Sequence, residues 1–274
     1  MRANKVFKKV LLFIVIVLSL IIYVEYMNGN LPWLKEIMIE MGYDQPTNDG
    51  TTSGGEGYSL VPVESPSSIS SGNINVEDIP EFTNQPIVIL NGNNPLFTDE
   101  EKQITYAFES YSDLDELGRC GVAFANICKD LMPEDAREGI GSVKPSGWNN
   151  VKYTGIVDGG YLYNRCHLIG FQLAGENANK LNLITGTRYL NVVGMLPYEN
   201  EVADYVRKTG NHVLYRVTPI YNGDELVCRG LTMEAYSVED DGAGIKFYVY
   251  CYNNQPYITI NYMDGSSSLT REVG

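Results

Sequence analysis

The stretch that decides the fold is YLYNRCHLIG, residues 161–170. It begins as an alternating aromatic run, which is typical of a β-strand, and His167 lies where the strand pattern ends. A second stretch, NLITGTRYLNVVGMLPYEN, follows at residues 182–200. It predicts a helix with Thr187 as N-cap and Gly210 as its C-terminal stop, and Pro197 restarts or kinks this helix. A strand therefore feeds a helix in the middle of the chain.

The sequences on either side predict further strands. QPIVILNGNNP and CGVAFANICKDLM indicate strands, and FTDEEKQITYAFESY has a helical or mixed pattern. VKYTGI and GGYLYNR are expected to form a β-hairpin with its turn at Asp158, Gly159 and Gly160. HVLYRVTPIY, ELVCRGLTMEAYS, IKFYVYCYN and ITINYM alternate like antiparallel strands. The predicted fold class is α+β with an antiparallel sheet core.

The N-terminus predicts a membrane-targeting segment. MRANKVFKK is basic, and the following residues 10–24 carry no charge. An uncleaved anchor is favoured over a cleaved signal peptide because EYMNGN lacks an A-x-A-like cleavage site. The expected organisation is a signal anchor or signal peptide at 1–30, a juxtamembrane segment and disordered linker at 31–80, and one folded domain at 81–274. This arrangement places the domain outside the cell, either membrane-attached or secreted.

Composition limits the possible partners and sites. The net charge of -14 argues against strong general attraction to nucleic acid or anionic lipid. From Lys152 to Glu234, however, eight basic residues balance eight acidic ones, so a local basic groove is compatible with the sequence. The five cysteines contain no C-x-x-C pair, which argues against a zinc site and leaves the disulfide pairing open.

Several side chains in the central region suit hydrolytic chemistry. A neutral histidine such as His167 can accept a proton from water, and Arg165 can bind a phosphate. Asn182, Asn191 and Glu199 offer the oxygen ligands that Mg²⁺ prefers. The eight-residue spacing of Asn191 and Glu199 puts both on neighbouring parts of one face, provided that the helix is continuous.

The run NRCH, followed by NLITGTRYLNVVGMLPYEN, resembles the DNA/RNA non-specific endonuclease family and its ββα-metal motif. The similarity is greatest to secreted or surface nucleases of Gram-positive bacteria, and it covers residues 140–235 best. Two positions depart from the usual Asp-Arg-Gly-His motif: Asn164 replaces Asp, and Cys166 replaces Gly.

The resemblance implies a role for each matching residue. His167 matches the general base, Asn191 the direct metal ligand and Glu199 the carboxylate that orients metal-bound water, while Arg165 matches the motif arginine. Arg165, Asn182 and Arg188 are expected at the substrate, with Asn182 also supporting the site. The implied function is Mg²⁺-dependent cleavage of DNA, with Mn²⁺ as a substitute ion and RNA open as a second substrate. No protein partner is predicted.

Two other functions remain open from the sequence. A thiol hydrolase would use Cys166 with His212, although His212 follows a helix stop and is expected to be structural. A surface nucleic-acid-binding protein with a weakly catalytic nuclease fold is suggested by Asn164 and by the acidic charge.

Overall fold

The fold is built around an antiparallel sheet that follows the alternating patterns of the sequence. The computed structural model describes residues 63–64 and 74–270. The strands are β1 Val63–Glu64, β2 Ile87–Ile89, β3 Phe108–Tyr111, β4 Ala123–Ile127, β5 Tyr163–His167, β6 Leu183–Thr187, β7 Val213–Ile220, β8 Gly230–Ser237, β9 Lys246–Tyr252, β10 Ile258–Ile260 and β11 Ser267–Leu269. Within the described residues, the main sheet has the order β1-β2-β9-β8-β7-β4-β3, and only β1 and β2 pair in parallel. The predicted antiparallel α+β class is confirmed.

The helices are few and short apart from one. They are α1 Phe171–Ala174 and α2 Leu196–Thr209, the second preceded directly by a π-helical turn, Leu190–Met195. Single 3₁₀ turns lie at Val76–Asp78, Asn91–Asn93 and Glu101–Gln103.

The main sheet is packed on both faces, and most residues of its central strands β7, β8 and β9 are therefore buried. Along β7, Val213, Tyr215 and Val217 point into the main core, whereas Leu214 packs into a separate cluster on the other face. The buried side of α2 lies in the main core and includes Val202. Helix α2 and the β5–β6 hairpin cover the side of the sheet that faces the main core.

The other side of the sheet is covered by the chain that precedes β2 and follows it. Ile74, Ile79 and Phe82 pack against the tyrosines of β9, and the carbonyl of Pro80 accepts a 2.7 Å hydrogen bond from Tyr252. The packed structure therefore begins before residue 81, within the segment that was expected to be linker. Composition missed this because two isoleucines are diluted by a Ser- and Asn-rich surrounding sequence.

The predicted hairpin partner of β5 was wrong. Strand β5 pairs antiparallel with β6, so that Tyr163 faces Thr187 and His167 faces Leu183. VKYTGI contributes an isolated bridge, Lys152 to Tyr161, beside the expected glycine turn. Residues 168–182 connect β5 to its true partner, β6. A connection of that length has no local turn signal that would predict the pairing.

The predicted helix termini agree with the structure, but its interior does not follow a regular α-helix. The hydroxyl of Thr187 accepts a 2.9 Å hydrogen bond from the Leu190 amide, as an N-cap does, and Gly210 ends α2 with a φ of 76°. Pro197 lies in the first turn of α2, directly after the π-helical turn. The wide turn lies between Asn191 and Glu199, so the regular-helix rotation between them does not apply.

One side chain fastens the β5–β6 hairpin to the main sheet. Asn253 follows β9 and is fully buried. Its Oδ1 accepts a hydrogen bond from the Thr187 amide at 2.8 Å, and its Nδ2 donates to the carbonyls of Thr185 and Cys228 at 3.0 Å each. The neighbouring carbonyl of Asn254 accepts from the Thr187 hydroxyl at 2.7 Å. The end of β6, where the helix starts, is thus tied to the sheet.

The predicted N-terminal anchor and most of the stalk lie outside the described residues. Among the residues that the structure describes, no helix has the length and apolar character needed to cross a bilayer. The described residues belong to one of the two units into which the chain divides, and the other, Met1–Gly55, lies outside them.

We predict that Asn253→Ala lowers the free energy of unfolding by roughly 3 kcal/mol, because it removes three buried hydrogen bonds and leaves their partners unpaired. Asn254→Ala is the matched control, since it keeps the carbonyl that binds Thr187, and we expect a change within about 0.5 kcal/mol. Urea unfolding of the full chain measures both. Equal destabilisation by the two variants would contradict the assigned role.

Candidate active site

His167 ends β5 in a state suited to accept a proton. Only 6% of the residue is exposed, and its Nε2 lies 2.8 Å from the carbonyl oxygen of Asn177. A carbonyl only accepts, so Nε2 carries the proton and Nδ1 is unprotonated. Burial lowers the pKa of His167 to about 4; the hydrogen bond to Asn177 opposes the shift and the charge of Arg137 adds to it. The ring is therefore neutral at pH 7, with one tautomer held in place.

Asn191 lies in the π-helical turn, in contact with β5. Its Oδ1 is 3.2 Å from the Sγ of Cys166, which is fully buried and also lies 3.4 Å from the Sδ of Met195. Cys166 points toward the helix. Its neighbours Arg165 and His167 face the other side of the hairpin, because successive residues of a strand point to opposite faces. π-Helical turns occur frequently at functional sites.

Glu199, in the first turn of α2, is a buried carboxyl group with a raised pKa. It is 9% exposed, and burial raises its pKa to about 7, although the charge of Arg137 and a hydrogen bond from Gln172 act against the shift. The carboxyl group approaches the backbone of Gly170 so closely that a Cβ there would lie 2.8 Å from Oε2. Gly170 is thus required for the position of Glu199.

Arg137 is the functional candidate that sequence reasoning missed. It is exposed, its guanidinium lies 6.0 Å above the ring of Phe171, and it makes no hydrogen bond or ion pair within the described residues. Its charge acts on His167, Glu199 and Cys166, so it lies within electrostatic range of all three. No sequence pattern singles it out, because Arg137 stands in a loop without a motif.

Arg165 binds protein groups in this structure. Its Nε and Nη2 donate to the carbonyls of Val143 and Gly141, the latter at 2.9 Å, and the guanidinium lies 4.3 Å from the ring of Trp148. These contacts fix the loop at residues 141–148 against β5. A supporting position beside His167 therefore describes Arg165 better than an unengaged phosphate ligand.

The other two predicted substrate residues also have protein partners. Asn182 is fully buried, and its amide bridges the N–H and the carbonyl of Ile169 at 2.9 and 3.0 Å. It supports the loop after His167 and has no surface for a substrate. Arg188 forms an ion pair with Asp158 at 2.8 Å, and the two are joined through both Nε and Nη2.

The geometry argues against the thiol hydrolase. Cys166 is fully buried and burial raises its thiol pKa well above the usual value, so the nucleophilic thiolate is disfavoured. His212 lies 2.5 Å from a carboxylate oxygen of Glu239, and the hydrogen bonds of Cys166 within the described residues do not include His212. All five cysteines fall within the described residues, where each is buried and unpaired, so the disulfides left open by the sequence are not formed.

The side-chain oxygens of Asn191 and Glu199 are of the type that a hard divalent cation binds while it retains much of its water. Among the described residues, no group of three or more His, Cys, Asp or Glu side chains could hold a metal. One amide oxygen, Asn191 Oδ1, and one buried carboxyl group, Glu199, are available instead, and Mg²⁺ is commonly bound through few protein ligands. The buried hydroxyl of Tyr215, within range of the Glu199 charge, has no hydrogen-bond partner among these residues.

We predict that Glu199→Gln stabilises the metal-free protein at neutral and alkaline pH. Since the folded-state pKa is raised from 4.5 to about 7, wild type loses stability as pH rises through this window, and glutamine does not ionise. The gain should approach roughly 3 kcal/mol above pH 7 and vanish below pH 4.5. Unfolding in EDTA at pH 4 and pH 8 measures it. A difference that is the same at both pH values would contradict the raised pKa.

Comparisons with known proteins support the fold and identify a family. The family model described as DNA/RNA non-specific endonuclease matches residues 100–239, just over half of the chain. NucA from Streptococcus agalactiae with magnesium bound is similar at 26% identity and a TM-score of 0.57, over 68% of this chain and 87% of that one. The Sda1 nuclease with bound zinc is similar at 27% identity and a TM-score of 0.58, over 68% of this chain and 96% of that one. No curated protein matches significantly. The chain belongs to the DNA/RNA non-specific endonuclease family.

Proposed function

We propose that this nucleic-acid-hydrolysing enzyme is a Mg²⁺-dependent, sequence-non-specific endonuclease that acts on DNA outside the cell. The observation that carries the proposal is the state of His167: a neutral, buried ring with its proton held on Nε2 and an unprotonated Nδ1. Asn191, Glu199 and Arg137 provide oxygen ligands and positive charge around the same end of the hairpin. RNA remains a second substrate to test.

The proposed metal site uses the neutral amide oxygen Asn191 Oδ1 as the direct ligand, with the carboxyl group of Glu199 orienting metal-bound water. Mg²⁺, when bound there, supplies positive charge that stabilises the oxygens of the reacting phosphate. NucA has been observed with magnesium and Sda1 with zinc, which supports a divalent ion in this family. We choose Mg²⁺, with Mn²⁺ as a substitute, because both proposed donors are oxygen atoms.

The proton step is assigned to His167. Nδ1 accepts a proton from the attacking water, while the hydrogen bond from Nε2 to the Asn177 carbonyl holds the ring. The low pKa keeps the base available, so the acid limb of the rate profile should fall well below the ordinary histidine pKa near 6.5. The 5′-phosphate product implied by the family resemblance belongs to this proposal.

Arg137 is proposed to bind the phosphate. Unlike Arg165 and Arg188, it has no hydrogen-bonding protein partner among the described residues, and its charge already acts on His167 and Glu199. Arg165 then acts by holding the loop beside the base. Arg137→Ala, compared with the exposed helix variant Arg207→Ala, tests this division: loss of cleavage should be confined to the first.

Sequence-independent substrate choice follows from the chemistry, because the proposed groups contact phosphate and leave base edges unread. The site region is electrically neutral between Lys152 and Glu234 while the chain as a whole carries -14. Binding is therefore expected to be modest and to weaken with added salt. Retained DNA binding without metal-dependent cleavage would instead support the weakly catalytic binding protein.

Two features support an extracellular location: the basic and apolar N-terminal sequence, and the resemblance to surface nucleases. We propose that the segment at 1–30 anchors the enzyme or directs its secretion, and that the nuclease domain faces outward. Protease added to intact cells tests this, since release of an active fragment is expected and protection of the domain until lysis would reverse the topology.

We predict that the full chain nicks supercoiled plasmid in Mg²⁺ and not in EDTA, and that His167→Ala lowers this rate by roughly 10²- to 10⁴-fold. Added imidazole should partly restore the variant by occupying the space of the missing ring. His212→Ala is the matched control and should remain active, because His212 is paired with Glu239.

Cleavage that persists in EDTA would exclude the metal assignment. Near-normal activity of His167→Ala, or inactivity of a folded His212→Ala, would move the base elsewhere.

A further inference from the structure

The thiol that replaces the motif glycine makes a directed contact with the proposed metal ligand. Cys166 Sγ lies 3.2 Å from Asn191 Oδ1, closer than its two other acceptors, Met195 Sδ at 3.4 Å and the His167 carbonyl at 3.8 Å. Since an amide oxygen can only accept, the S–H is the donor of this closest contact. Within the described residues, the Asn191 side chain makes this one hydrogen bond. Nothing else in that part of the chain fixes its amide by hydrogen bonding.

The surrounding structure is shaped to receive a side chain at this position. Gly186, on the paired strand, has no Cβ, and one placed there would lie 2.5 Å from the Cβ of Cys166. The thiol also meets the Met195 sulfur at 3.4 Å. Strand, paired strand and helix therefore enclose Cys166 completely, which keeps the S–H aimed at the helix and away from solvent.

The terminal torsion of an asparagine is soft, so an amide without a fixed partner presents its oxygen or its NH₂ group to a ligand. Only the oxygen binds a cation. A donor on one side of Oδ1 selects the orientation with the oxygen inward, and the second lone pair of that oxygen remains for the ion. Groups that orient metal ligands in this way commonly affect affinity strongly.

We propose that Cys166 is a positioning residue, whose S–H orients the Asn191 amide so that Oδ1 is presented to the divalent ion. This inference rests on the proposed metal site at Asn191. Cys166 itself takes no part in the reaction. Its requirement is a hydrogen-bond donor of this size, and serine meets it as well as cysteine.

The test measures metal binding directly and compares donor with non-donor. Calorimetric titration of the full chain with Mn²⁺ gives affinity without turnover, and plasmid nicking gives the Mg²⁺ concentration for half-maximal rate. Cys166→Ala should weaken both about tenfold, with a smaller loss of rate at saturating Mg²⁺. Cys166→Ser should stay within about twofold of wild type, because it keeps the donor.

Cys251→Ala is the matched control, because it removes a buried thiol of the same core that contacts Met233 instead of Asn191. It should leave Mn²⁺ affinity unchanged. Unfolding in EDTA verifies that each variant folds, and Cys166→Val supplies a second non-donor that fills the space if alanine does not fold.

Wild-type Mn²⁺ affinity in a folded Cys166→Ala or Cys166→Val variant would overturn the inference, as would serine and alanine weakening it equally. Asn191→Ala separates the two levels. If that variant still binds Mn²⁺ normally, the proposed metal site is wrong; if it loses binding while Cys166→Ala keeps it, only the role of Cys166 fails.

Discussion

The buried amide of Asn253 is the constraint on which the rest of the site depends. It satisfies the Thr187 amide and the carbonyls of Thr185 and Cys228, so the end of β6 cannot shift against the sheet without leaving buried groups unpaired. The helix begins at that same point. Because His167 lies on the partner strand and Asn191 lies in the π-helical turn that follows β6, one side chain sets the frame for both.

Burial gives the two titratable groups of the site opposite properties. It lowers the pKa of His167 to about 4 and raises that of Glu199 to about 7, because in each case the charged form loses hydration. A neutral histidine can act as a base at pH 7. An ionised carboxyl group that is buried lowers the stability of the fold until a cation compensates its charge. The site therefore trades stability of the metal-free fold for a prepared base and a prepared cation site, with Arg137 acting on both.

Replacement of the motif glycine by Cys166 fits the local packing, since the opposing strand supplies the missing space. Gly186 stands close to its Cβ, and the sulfur fills the gap between hairpin and helix next to Asn191 and Met195. A departure that looks disruptive in a one-dimensional motif is thus accommodated by a glycine twenty residues later. Asn164, the other departure, lies opposite Gly186 in the strand pairing and makes no side-chain hydrogen bond within the described residues.

Local sequence determined the elements whose signals are local: the alternating strands β7, β8 and β9, the Thr187 cap, the Gly210 stop, and the motif that identifies His167, Asn191 and Glu199. Tertiary structure decided what depends on distant partners. The pairing of β5 with β6 crosses a long loop, and the π-helical turn changes the rotation between Asn191 and Glu199. Burial set the protonation of His167, and packing enclosed Asn182 while Arg137 remained exposed and unpaired among the described residues. Periodicity reports which face is apolar; only the folded chain determines which polar groups meet there and lose their water.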